Sequence, residues 1–107
     1  MEYWTLVNIL HVFIIAPLLI VIGLAQTRTP DWLFTVLLVV AFGMTVYHIY
    51  RYMETKSIVN IFHLVAIVPL LVFVALEKKQ TPTYAFLLLF ALGIVSLWYH
   101  GKKLASR

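Results

Sequence analysis

The sequence has no cysteine, and only 11% of its 107 residues are charged. Without cysteine there can be no disulfides, thiolate metal ligands or thiol redox chemistry. A soluble domain carries about 25% charged residues, so eight basic and four acidic side chains are too few to cover a water-soluble globule of this size. Because hydrophobic residues make up 64% of the chain, the composition also excludes a disordered tail.

The few charges divide the chain into four long uncharged runs, which are residues 3–27, 32–50, 57–76 and 80–101. A helix needs about 20 apolar residues to cross the hydrocarbon core of a membrane. The sequence therefore predicts an integral membrane protein with four spanning helices, near residues 6–25, 30–52, 58–77 and 82–103. None of these runs contains Asp or Glu, and no glycine-rich phosphate loop is present, so an enzyme is not expected.

The chain repeats itself at a shift of 52 residues. Residues 5–52 align without a gap with residues 57–104. The identical pairs include Asn, His, Pro, Thr-Pro and Tyr-His, which carry more weight than the apolar matches because Leu, Ile and Val are common in this chain. We therefore expect one all-α domain over residues 1–107, a four-helix transmembrane bundle built from two parallel two-helix repeats. The pseudo-twofold axis lies along the membrane normal, because an even number of helices brings both repeats in from the same side.

Threonine, serine and proline mark the expected helix ends. Thr29-Pro30 and Thr81-Pro82 predict helix starts in which Thr is the cap and Pro the first helical residue. Thr5 and Ser57 are expected to cap the first and third helices. Pro17 and Pro69 fall in mid-helix, where proline leaves a carbonyl without its donor and can kink the helix.

Four histidines form the main candidate site, and the repeat accounts for all of them. At 1.5 Å rise per residue, antiparallel neighbours bring the four imidazoles to one depth, near the membrane surface that holds the termini. Polar groups in hydrocarbon turn toward protein partners, so we expect a four-imidazole ring around the axis. The candidate ligands of haem b or of a transition metal ion are His11, His48, His63 and His100, with Asn8 and Asn60 as their hydrogen-bond partners.

The sequence is compatible with three functions. A haem- or metal-binding protein, with electron transfer as its role, would use the histidine layer. A structural or accessory subunit of a larger membrane assembly would need no site, because one hydrogen bond to a neighbouring helix satisfies each histidine. Proton or ion conduction would require an oligomer, since the half of the bundle away from the histidines has almost no polar side chains.

The basic residues point to lipid as the main partner. The formal net charge is +4, and the Lys and Arg residues sit in short connections, where anionic headgroups are the natural counter-surface. No motif for reading nucleic acid is present. Both termini should lie on the cytosolic side, which carries the larger share of positive charge: Arg51, Lys56, Lys102, Lys103 and Arg107.

Overall fold

The computed structural model describes residues 3–106, with side chains from residue 5 onward. The α-helices are α1 (Tyr3–Leu10), α2 (Ala16–Ala25), α3 (Asp31–Thr55), α4 (Ile58–Phe62), α5 (Val68–Glu77) and α6 (Thr83–Ala105). Two π-helical turns, His11–Ile15 and His63–Ile67, join α1 to α2 and α4 to α5. No strand occurs in residues 3–106, so the expected all-helical class is confirmed.

Four helical segments are long and apolar enough to cross a membrane, which indicates a membrane protein. They are span 1 (Thr5–Arg28), span 2 (Asp31–Thr55), span 3 (Ile58–Gln80) and span 4 (Thr83–Ala105). Many of their large side chains face outward, as lipid contact requires: Phe42 is 72% exposed and Phe13 67%. Arg107 and the side chains of Tyr3 and Trp4 lie outside the described residues. The cytosolic placement of the termini stays a prediction.

The helix boundaries agree with the expected ones to within three residues, but most of the expected caps are wrong. Ser57 does cap α4, because its side chain accepts a hydrogen bond from the Val59 N–H. Pro30 and Pro82, with extended backbones, occupy the capping position themselves, and neither helix start has a side-chain cap. The preceding threonines are therefore one residue too early to cap. Thr5 lies inside α1.

The mid-helix prolines coincide with the two π-helical turns. The Ala16 N–H donates to the His11 carbonyl five residues back, and the Val68 N–H does the same to that of His63. Pro17 and Pro69 follow directly. A proline ring collides with the carbonyl four residues before it in an α-helix, and a wider turn is one way to relieve that collision. Each π-helical turn begins at a candidate histidine.

The chain divides into two compact units. Unit 1 comprises Met1–Gln26 and Pro82–Arg107, and unit 2 comprises Thr27–Thr81. Unit 1 thus pairs span 1 with span 4, and unit 2 pairs span 2 with span 3. These units differ from the sequence repeats 5–52 and 57–104, because each unit takes one helix from each repeat. The duplication itself stays a prediction from the sequence.

Close backbone approach in unit 1 and a lysine bridge in unit 2 join the two helices of each pair. In unit 1, a Cβ atom added to Gly23 would lie 2.6 Å from the Cβ of Phe90, and one added to Gly93 would lie 3.1 Å from the Ala16 carbonyl oxygen. Glycine is what allows these backbones to approach. In unit 2, the Lys79 ammonium donates to the carbonyls of Thr27 and Thr29 at 3.1 and 3.0 Å. It thereby ties the end of span 3 to the start of the unit.

Candidate functional site: two histidine–asparagine clusters

The structure brings the six candidate residues together as two clusters, one in each unit. Cluster 1 in unit 1 consists of Asn8, His11 and His100. Cluster 2 in unit 2 consists of Asn60, His63 and His48. In both clusters one histidine begins a π-helical turn and the other lies near the end of the partner helix. The sequence placed these residues at similar depths but did not indicate which histidines pair.

In cluster 1, the two imidazoles are stacked face to face. The ring centres of His11 and His100 are 4.0 Å apart, with 26° between the planes. The His100 Nδ1 lies 2.8 Å from the Asn8 Oδ1, across the two spans of the unit. The His11 Nδ1 lies 2.8 Å from the Val7 carbonyl oxygen on its own helix. Asn8 is only 2% exposed, so this hydrogen bond is sheltered.

Cluster 2 repeats these contacts in unit 2. The ring centres of His48 and His63 are 4.2 Å apart, with 22° between the planes. The His48 Nδ1 lies 2.8 Å from the Asn60 Oδ1, and the His63 Nδ1 lies 2.8 Å from the Val59 carbonyl oxygen. In addition, the Asn60 amide donates weakly to the Thr55 hydroxyl at 3.5 Å. Asn60 is 8% and His48 6% exposed, so this hydrogen bond is buried at both ends.

The hydrogen bonds define the chemical state of the imidazoles. A carbonyl oxygen only accepts, so each Nδ1 must be the N–H donor. In the neutral ring the lone pair then belongs to Nε2. This is the tautomer that a histidine has when Nε2 binds a metal and Nδ1–H is held by a second group. It is equally the tautomer of a histidine whose only task is to join two helices.

The stacking limits what one pair can bind. A nitrogen lone pair lies in the plane of its ring and does not point at a ring stacked above it. Imidazoles on opposite sides of one metal ion have ring centres about 6 Å apart, because each metal–nitrogen bond is about 2 Å long. The pairs at 4.0 and 4.2 Å are too close for that arrangement. The two rings of either pair, as the structure places them, are therefore also too close to be the two axial ligands of one haem.

A larger metal site finds no support either. Within the described part of the chain, no three His, Asp or Glu side chains come together so that they could hold a metal ion. The four-imidazole ring therefore stays a prediction.

Tyrosines flank both clusters. Tyr99 meets His100 edge-on with ring centres 5.0 Å apart, and Tyr47 meets His48 in the same way at 5.0 Å. Three features of the clusters were not predicted from the sequence: these edge contacts, the carbonyl acceptors on Val7 and Val59, and the π-helical turns. The proline six residues after each N-terminal histidine is the signal that could have indicated the turns.

Comparison of the chain with protein-family models, with curated proteins and with solved structures finds no match.

Proposed function

We propose that the chain is a small structural or accessory subunit of a membrane assembly. In this role, clusters 1 and 2 are polar clamps that hold the helix pairs in register. The observation that supports the proposal is that the polar groups of each cluster bond to one another within their unit. Each histidine Nδ1 is hydrogen-bonded to an oxygen of the same unit, and each pair of rings is stacked.

The membrane environment explains why such clamps are useful. Apolar side chains gain little from leaving lipid for one another, so helix pairing depends on close packing and on polar contacts. The Asn8–His100 and Asn60–His48 bonds join the two spans of their units and are both mostly shielded from solvent or lipid. One such bond on each pair specifies which helices associate and at what register.

A second candidate function is the binding of haem b or of a transition metal ion, with electron transfer as the role. The observation that favours it is the tautomer. All four histidines have Nδ1 committed to an oxygen, which leaves Nε2 as the nitrogen chemically suited to a metal. The stacking requires that the two members of one pair do not bind opposite faces of the same ion.

One preparation separates the two candidates. The full chain is expressed with iron and a haem precursor in the medium, purified without a polyhistidine tag, and examined by absorption spectroscopy and metal analysis. For a structural or accessory subunit, we expect neither a Soret band nor a stoichiometric metal. This proposal is overturned if haem or metal is present at one equivalent or more and is lost in a His11→Gln/His63→Gln variant. The second candidate is excluded if neither is found in folded protein.

Stability measurements test whether the two clusters hold the helix pairs together. Asn8→Ala and Asn60→Ala should each lower the stability of the helix pairs in detergent, whether or not haem is supplied. Asn8→Asp, which keeps an acceptor oxygen, provides the matched comparison. If both alanine variants unfold at the same denaturant concentration as the wild type, the clusters are not clamps.

A further inference from the structure

Each of the two units carries an exposed apolar face on one of its spans. On span 3 and on span 4, exposed residues recur at intervals of three and four, which places them on one side of the helix. Face 3, on span 3 in unit 2, and face 4, on span 4 in unit 1, are defined by four residues each. Face 3 consists of Ala66, Pro69, Phe73 and Leu76, and face 4 of Leu87, Ala91, Ile94 and Trp98.

The residues of the two faces match in depth. Spans 3 and 4 both have 23 residues, and spans joined by a short connection run antiparallel, so the start of span 3 and the end of span 4 lie at the same membrane surface. At 1.5 Å per residue, Ala66 lies about 12 Å from this surface and Trp98 about 11 Å. Phe73 and Ala91 lie about 23 and 21 Å from it. The remaining residues match in the pairs Pro69–Ile94 and Leu76–Leu87.

At two of these four levels, a large side chain on one face corresponds to a small one on the other. Trp98 corresponds to Ala66, and Phe73 corresponds to Ala91. Small residues allow membrane helices to approach closely, and a large residue opposite fills the space that they leave. The equivalent positions of the first sequence repeat hold pairs of similar size, which are Ile14 with Val46 and Val21 with Val39. The size match is therefore specific to faces 3 and 4.

A hydrogen-bond donor and an acceptor lie at the same level as the Trp98–Ala66 pair. His63 is within one helical turn of Ala66, and its Nδ1 donates to the Val59 carbonyl, so in the neutral ring Nε2 keeps its lone pair. The Trp98 ring contacts the Lys102 ammonium. Within residues 5–106, no donor reaches the His63 Nε2 and no acceptor reaches the Trp98 indole N–H. Polar groups in a membrane turn toward protein partners.

We propose that face 3 of one copy of this chain binds face 4 of a second copy, with the Trp98 indole N–H donating to the His63 Nε2 across the contact. All copies have the same orientation in the membrane, so the depths that match within one chain also match between copies. The contact joins two different surfaces and is therefore head-to-tail, the type of contact that closes into rings. This inference rests on the proposed role as a subunit of an assembly, and it names a second copy as the partner.

Thiol cross-linking of the full chain tests this contact, because the chain has no cysteine of its own. Two variants, Leu76→Cys and Leu87→Cys, are mixed in detergent, reconstituted at low density into phosphatidylcholine vesicles and treated with a short bismaleimide. The mixture should give covalent dimer, whereas either variant alone should give little, since the contact joins residue 76 to residue 87. Leu24→Cys mixed with Thr35→Cys, the equivalent exposed pair of the first repeat, measures chance collisions. The proposal is overturned if the first mixture gives no more dimer than this control, or if Leu76→Cys alone gives as much.

Three substitutions in the mixed-cysteine background test the two parts of the match. Ala66→Phe should reduce the dimer to the control level because it fills the space for Trp98, whereas Gly43→Phe, at an exposed position with no atom within 4 Å, should not. His63→Phe keeps a ring but removes the acceptor, and it should lower the association constant by about threefold, the average effect of one hydrogen bond between membrane helices. If Ala66→Phe has no effect, or Gly43→Phe has an equal one, the contact is wrong. The clamp proposal is judged separately, by the stability of Asn8→Ala.

Discussion

The hydrogen bond between Asn8 and His100 gives the sharpest test of the clamp. We consider Asn8→Ala and His100→Phe, the second of which keeps a ring to stack on His11 but removes the Nδ1–H. Hydrogen bonds between membrane helices contribute about 0.6 kcal/mol on average and about 1.7 kcal/mol at most. A 2.8 Å bond to a side chain that is 2% exposed should lie in the upper part of that range.

The expected free energies follow from this geometry. Asn8→Ala leaves the partly buried His100 Nδ1–H without its acceptor, so it should lower the free energy of unfolding by about 1–3 kcal/mol. In a double-mutant cycle, the Asn8–His100 coupling should be about 1–1.5 kcal/mol. The measurement is reversible unfolding in mixed micelles with a denaturing detergent, with the loss of helical circular dichroism as the signal.

Two further cycles are the controls. His11 donates to the Val7 carbonyl instead of to Asn8, so the cycle of Asn8→Ala with His11→Phe should give a coupling below about 0.5 kcal/mol. The cycle of Asn60 with His48 should give a coupling of the same sign and similar size, because that hydrogen bond is equally short and both of its residues are buried. A coupling near zero for Asn8 with His100, or one no larger than the His11 value, would refute the clamp.

Three other changes test the packing and the connections by the same unfolding assay. Gly23→Ala should lower the free energy of unfolding by about 1–3 kcal/mol, because the new Cβ collides with the facing helix. Gly43→Ala, whose new Cβ would have no atom within 4 Å, should be neutral or stabilising by up to about 1 kcal/mol. Equal effects of the two substitutions would contradict this packing. Gln26 has φ 52° and ψ −120°, so Gln26→Gly should stabilise by about 1 kcal/mol, and an equal gain from Gln26→Ala would count against strain. The Thr29 hydroxyl is buried without a hydrogen-bond partner, so Thr29→Val should stabilise by about 1 kcal/mol, while Thr81→Val, which loses a bond to the Val74 carbonyl, should not.

The helices could be predicted from the sequence because their signal is strong. Few residues interrupt the four apolar runs, and a charge or a Thr-Pro pair marks nearly every end. The caps were harder to predict than the helices, because a Thr-Pro pair is compatible with two positions of the helix start. Proline can be the first helical residue or the residue before it, and only the backbone geometry of Pro30 and Pro82 decides between them.

The sequence could predict which residues belong to the candidate site but not which histidines pair with each other. Spacing along a helix gives the depth of His11 and of His100, and it puts Asn8 on the same face as His11. It does not give the rotation of one helix against another, which determines whether imidazoles stack or point at a shared centre. The π-helical turn adds to this uncertainty, because a wider turn at His11 changes the direction of the following side chains.

The position of the clusters explains how a chain with so few polar groups can specify its helix pairs. In lipid, contact between two helices at a single depth, or level, fixes the distance between them at that level but leaves them free to slide or pivot. Unit 1 has two levels, cluster 1 and the close approach at Gly23 and Gly93. Unit 2 also has two, cluster 2 and the Lys79 bonds to the carbonyls near its start. If the clusters act as proposed, two separated levels of this kind set both the register and the crossing of a helix pair.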